Sequence, residues 1–239
     1  MIKIAMLLVR KPGMSRAAFR NHWLNVHGPL VMSIPAIRRR VIRYVQCHTL
    51  DEWYPFLPGD GPVYDGAAEV WCESLEDVLS MFAAPEVEEK VHPDEQNFLD
   101  PDRFVLLLLH EHVIYQRPGA ETRGGIKLFE VPVRRAGLTR AQCLRHWQDV
   151  HGPMVVDTPD MVAHLRRYVQ SHALEESPPG LPPMPYEGLA ELWFDSRDDL
   201  LACFGDQYMQ RVHPDEANFA DLDKCTAFPT REYVIYQRD

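Results

Sequence analysis

Two stretches of this chain could do proton chemistry twice over: HWLNVHGPL at 22–30 and HWQDVHGPM at 146–154 carry histidines at the same places. Imidazole ionises close to neutral pH, so a recurring histidine is a first candidate for moving protons. His27 and His151 each precede Gly-Pro, and two readings stand for them. An imidazolium can serve the C-terminal dipole of a helix, or the ring can reach a ligand at the helix end. His22 and His146 lie beside Trp23 and Trp147 and read as packing. Downstream, RYVQCH and RYVQSH supply Tyr44, Gln46 and His48, and Tyr168, Gln170 and His172. AEVW and AELW supply Glu69 with Trp71 and Glu191 with Trp193. A histidine with a carboxylate nearby is the usual material of a general base or acid.

These groups fall on a duplicated frame. HWxxVHGP and RYVQ recur at an offset of 124, EVW/ELW at 122, and HPDE and VIYQR at 121. Such self-similarity defines two modules, 1–117 and 126–239, and the drift in offset places deletions in loops. RPGAETRGG covers the linker 118–125, where Pro and Gly interrupt any regular pattern. In each module a β-rich run (IKIAMLLVR, IKLFEVPVR) leads through Gly13 or Gly137 to an N-cap, Ser15 or Thr139. A helix carrying Phe19, Trp23 and His27 at spacing four follows, and Gly28-Pro29 is expected to end it. Two more strands, a second helix and a last strand complete a β-α-β-β-α-β order, the ferredoxin-like unit. HPDE reads as a turn in which Asp94 and Asp215 accept backbone hydrogen bonds. His92 with Asp94 has no specific ligand spacing, and no metal is expected.

A four-stranded sheet with helices on one face needs a cover for the other, and a second copy supplies one. The expected architecture is therefore α+β, two fused modules whose sheets face each other as a barrel with a ligand space inside. Strand alternation then sorts the side chains. With the apolar parity (Ala5, Leu7, Val9; Phe129, Val131, Val133) placed under the helices, Met6 and Glu130 point inward. The same rule sends Tyr44, Gln46 and His48, Tyr168, Gln170 and His172, and Glu69, Trp71, Glu191 and Trp193 into the cavity. Arg43 breaks the pattern of the second strand. His110 and His112 occur only in the first copy, so the two half-sites need not be equal. The Pro-rich loops Asp51–Gly66 and Glu175–Gly188 are candidate lids.

With 239 residues, 46% hydrophobic, the chain can bury a substantial core. Its formal charge of -10 argues against nucleic acid as a partner, and Arg38, Arg39 and Arg40 read as a solvated basic face. Five cysteines without CxxC spacing indicate reduced thiols, and IKIAMLLV is too short to span a membrane. The expected setting is cytoplasmic, with a small-molecule substrate, no membrane partner, and room for a homo-oligomer of the fused barrel.

HWxxxHGP followed by RYVQ and a DExxF segment resembles the EthD family of the dimeric α+β barrel superfamily, and here the pattern occurs in both halves. The resemblance implies a barrel made by two ferredoxin-like modules and small-molecule chemistry without a cofactor. It also implies paired histidines, His27 with His48 and His151 with His172, in proton transfer. On this basis the expected activity is a lyase or isomerase, such as a dehydratase, acting on a hydrophobic oxygenated molecule such as an aromatic or lactone catabolite. Tyr44 or Tyr168 would bond an oxyanion, and Glu69 or Glu191 would tune the base. Trp71, Trp193, Gln46, Gln170, Glu130, His110 and His112 would line the substrate. A non-catalytic small-molecule carrier and a haem- or quinol-handling barrel are the alternatives.

Overall fold

The computed structural model describes residues 1–52, 63–120 and 124–238. In the first half of the chain β1 (Ile2–Leu8) is followed by α1 (Arg16–His22), α2 (Gly28–Ser33), α3 (Pro35–Arg38), β2 (Val41–Thr49) and β3 (Gly66–Cys72). Then come α4 (Leu75–Phe82), α5 (His92–Glu95) and β4 (Val105–Gln116). The second half repeats this order with β5 (Ile126–Val131), α6 (Arg140–His146), α7 (Gly152–Val156), α8 (Pro159–His164), β6 (Leu165–Ala173) and β7 (Gly188–Phe194). It closes with α9 (Arg197–Cys203), α10 (His213–Glu216) and β8 (Thr226–Gln237). The fold is α+β. Two compact units form, one from Met1–Thr49, Val63–Leu108 and the stretch from Glu232, the other around Leu109–Arg231.

Ser15 caps α1 through the Ala18 amide, and Thr139 forms a capping box with Gln142, as their residue types lead one to expect. The helix does not end at Gly28-Pro29. A π-helical turn, Trp23–His27, runs straight into α2, and Trp147–His151 does the same before α7. Pro29 and Pro153 follow this wide turn directly, and in it the Gly28 and Gly152 amides reach back to the Trp23 and Trp147 carbonyls. Gly28 is required by a close approach, since a Cβ there would lie 2.9 Å from Gln46 Nε2. HPDE is likewise helical, forming α5 and α10 after π-helical turns at Val87–Val91 and Tyr208–Val212.

In the first unit β3 lies between β1 and β2, with Lys3 opposite Trp71, Met6 opposite Ala68, and Gln46 also opposite Ala68. In the second, β7 lies between β5 and β6, with Glu130 and Gln170 both opposite Ala190. The same sheet adds β8, which sets Ala227 against Glu130, and the second half of β4, which sets His112 against Gln170.

Register corrects the expected facing of two strands. Gln46 Nε2 donates to the Trp23 carbonyl at 2.8 Å and Gln170 Nε2 to that of Trp147 at 2.9 Å. His48 stacks on Trp23 and His172 on Trp147, with ring centroids 4.5 and 4.9 Å apart. Tyr44, Gln46, His48 and their copies therefore face the helices, together with Met6 and Glu130. Glu69 and Trp71, Glu191 and Trp193 occupy the opposite face. Both faces are buried, so apolarity could not say which was which. The indoles of Trp23 and Trp147 are almost wholly buried, and each contributes about 1.5–3 kcal/mol by leaving water. Gly66 admits the first of them, because a Cβ would come within 2.5 Å of the Trp23 ring.

Candidate active site

The side chains with chemical potential assemble from the helix ends upward. In the second module Asp215, on α10, accepts hydrogen bonds from two imidazoles: His146 Nε2 at 2.9 Å and His151 Nδ1 at 3.1 Å. Burial alone would raise this carboxyl, but the bonds from Asn218, His146 and His151 outweigh it and hold Asp215 below its ordinary range. Burial, opposed by Asp215, lowers the pKa of His151. A neutral ring that donates its Nδ1 proton to Asp215 keeps a lone pair on Nε2, as a general base requires. The first module holds the same arrangement, with Asp94 bonded to His22 Nε2 at 2.9 Å and His27 Nδ1 at 2.8 Å. Asp94 and Asp215 thus bind side chains, where backbone amides were expected.

What surrounds the base differs between the modules. In the second unit a cavity of about 200 Å³ opens between the helices and the helix-facing side of the sheet. Trp147, His151 and Phe219 form one wall, Ala190 and Ala227 the sheet floor, and Glu130, Tyr208, His213 and Glu216 the polar side. Tyr208 donates its hydroxyl to Glu216 Oε1 at 2.8 Å, and His213 Nδ1 lies 2.9 Å from Glu216 Oε2. Burial and the neighbouring Glu216 charge push Glu130 up to about 8. Burial and the Asp215 charge, against the Tyr208 bond, push Glu216 up to about 7. Burial and the same two glutamates raise Tyr208. Two carboxyls that share an apolar cavity hold a proton at neutral pH, and a proton-bearing carboxyl is a general acid.

The equivalent positions of the first module, found at offsets of 124 and 121, read differently. Met6 stands for Glu130, Val87 for Tyr208, Leu99 for Ala220, Phe104 for Cys225 and Leu106 for Ala227. Leu99 and Leu106 are buried in the core. These leucines and this phenylalanine are larger than the alanines and Cys225 that line the second-module cavity.

Among the residues singled out from sequence, His151 and Glu130 line this cavity. His172 does not; it bonds Gln170 at 3.1 Å and packs on Trp147 and, at 4.5 Å, on His112. Burial lowers His172 to about 3 and His48 to about 4. The supposed pairs are divided between two clusters, because His27 and His151 pack on Phe98 and Phe219 instead. Tyr44 and Tyr168 are buried and bonded to Gln46 and Gln170, and burial pushes Tyr44 up to about 12. Glu69 and Glu191 are fully buried in ion pairs with Lys3 at 2.6 Å and Lys127 at 2.8 Å. Trp71 and Trp193 lie under those same ammonium groups, at 5.0 and 4.3 Å. His110 is exposed midway along β4, opposite His172.

Cys47, Glu69 and Glu232 bring ligand-type atoms within 4.8 Å of one another. The Lys3 ammonium on Glu69 already supplies the positive charge a cation would bring. The loop expected as a first lid, Asp51–Gly66, lies largely outside the described residues. In the second loop Glu187 pairs with Arg134 and Arg140, and Arg140 also holds the carbonyls of Leu174, Glu175 and Met184. No described helix is long and apolar enough to cross a membrane.

The EthD domain profile matches residues 11–102 and 135–223. The chain belongs to the EthD family. The profile matches once in each half of the chain. It is similar to the conidial pigment biosynthesis dehydratase EthD of Metarhizium robertsii, with 33% identity over 106 residues, 41% of this chain and 74% of that protein. It is also similar to the decarboxylase claH of Passalora fulva, with 31% identity over 107 residues, 42% of this chain and 69% of that protein. Among solved structures it shares its fold with an anthrone oxidase-like protein at a TM-score of 0.64 and 10% identity, covering 99% of this chain and 94% of the other.

Tyr208 belongs to no motif singled out from the sequence, and the HPDE segment with His213, Asp215 and Glu216, followed by Phe219, was expected as a turn rather than as part of a site. The signal was present in the repeat, had the two copies been compared position by position. Where one copy keeps bulky apolar residues, the other has alanines, a tyrosine and an extra glutamate.

Proposed function

We propose that the chain is a cofactor-independent lyase, of dehydratase type, and that the cavity of the second module is its reaction site. The observation that carries this reading is the meeting in one cavity of an aspartate-held, neutral His151 with the proton-bearing pair Glu130 and Glu216. Elimination of water from a hydroxy ketone needs both parts. His151 Nε2 takes the proton from the carbon beside the carbonyl, and those electrons form the new double bond. The hydroxyl leaves as water with the proton given by the glutamate pair. Return of the proton from the imidazolium to the carboxylate through solvent restores the site, and no electrons enter or leave. General acid and base groups placed in this way each contribute about 10²–10⁴-fold. The dehydratase from Metarhizium robertsii supports the reaction class. The Passalora fulva relative favours a second reading, decarboxylation, in which the same acid would protonate the carbanion.

The test uses a hydroxytetralone whose hydroxyl lies β to the ketone and which becomes naphthol on losing water. The protein is expected to accelerate naphthol formation, followed by fluorescence, and His151→Asn to remove about 10²–10⁴-fold of the rate. Equal rates for the two proteins would overturn the assignment. Carbon dioxide release from the corresponding carboxylated ring, without water loss from the hydroxytetralone, would favour the second reading.

A further inference from the structure

We infer that Glu130 makes the cavity of the second module selective for uncharged hydroxylated rings over carboxylates built on the same ring. The inference rests on the reading of this cavity as the reaction site and specifies what it accepts. Among the described residues that line it there is no lysine or arginine. His213 is already engaged by Glu216 at 2.9 Å, and His151 by Asp215 at 3.1 Å. An anion entering here would be buried beside two acidic groups with no fixed cation, which is costly in an apolar space. Both oxygens of Glu216 have partners in Tyr208 and His213. Glu130 reaches the cavity from β5, and among the described residues no donor hydrogen-bonds its carboxyl. A carboxyl in that condition can both donate to and accept from a ligand hydroxyl or carbonyl, and it can offer a carboxylate ligand little. The apolar remainder, with Trp147, Phe219 and Phe204 among its walls, suits a flat ring. Met6 at the matching position of the first module has neither property.

β-Naphthol and β-naphthoate differ at one substituent and serve as probes. Calorimetric titration of the whole chain at neutral pH is expected to show naphthol binding at least about tenfold more tightly than naphthoate, about 1.4 kcal/mol. Glu130→Gln keeps the size and removes the acid, and should bring the ratio to within about threefold, chiefly by admitting naphthoate. Ala220→Leu, which closes the cavity, should abolish binding of both. Equal or tighter naphthoate binding by the unaltered protein, an unchanged ratio in Glu130→Gln, binding that survives Ala220→Leu, or failure of both probes to bind would each overturn the inference. Melting curves of both variants establish that they fold. If the binding preference holds while His151→Asn leaves hydroxytetralone turnover intact, the reaction assignment fails and the selectivity stands. If turnover depends on His151 and the preference is absent, only the role of Glu130 falls.

Discussion

The helix end of the first module and that of the second share their frame and differ in what the frame encloses. Both place a histidine on an aspartate that a second histidine also holds, at distances that agree within about 0.3 Å between modules. His151 shares its cavity with Glu130, Tyr208, Ala220, Cys225 and Ala227; at the matching positions of the first module stand Met6, Val87, Leu99, Phe104 and Leu106. The same aspartate and histidines thus stand beside different side chains in the two modules. A histidine held by a carboxylate marks a site only where there is room beside it for something to react.

The comparison breaks most completely if the second module is rebuilt as the first. Ala220→Leu, Cys225→Phe and Ala227→Leu together should reduce naphthol formation to background while the chain still melts cooperatively, as followed by circular dichroism. Next in size is the pair of single changes at the matching histidines. His151→Asn should cost about 10²–10⁴-fold in turnover, whereas His27→Leu should cost about 1–3 kcal/mol of stability by leaving Asp94 Oδ2 without its partner, with His22 still on Oδ1, and leave turnover unaltered. The pH profile of turnover should be bell-shaped. Activity falls on the acid side as His151 gains a proton, below the ordinary histidine range. It falls on the alkaline side between about 7 and 8 as the Glu130 and Glu216 pair loses its proton. Glu130→Gln should move the alkaline limb and leave the acid limb in place.

The smallest effect concerns Glu95, the first-module counterpart of Glu216, whose carboxyl burial pushes up to about 7. The folded chain binds its proton more tightly than the unfolded chain. The stability this provides is complete below the ordinary glutamate range and is lost as pH rises to about 7. Glu95→Gln should therefore raise the melting temperature by a few degrees at alkaline pH, have little effect in acid, and not change turnover.

Much of the frame was legible in the residues. The recurring motifs, the β-α-β-β-α-β order of the strands and principal helices and the capping residues follow from local chemistry and spacing. The expected facing of the strands failed where alternation carried no contrast. Ala5, Tyr44, Gln46 and Glu69 are all buried, so neither parity was marked by solvent. Glu69 and Glu191 resembled catalytic carboxylates in sequence, and only the ammonium groups of Lys3 and Lys127 show them as halves of buried ion pairs. Removing one partner of such a pair typically costs about 3–5 kcal/mol.

By itself the sequence determined which motifs recur in the two halves of the chain and which residue types each half holds, because motifs, caps and turns are set by neighbours along the chain. Tertiary structure decided which of those residues meet. Gln46 reaches the Trp23 carbonyl, and so points His48 at an indole. A cavity exists where Ala220 and Ala227 decline to fill it, and Glu130 and Glu216 are brought into it from elements 86 positions apart. Proximity of that kind depends on register and packed volume, which no local pattern records.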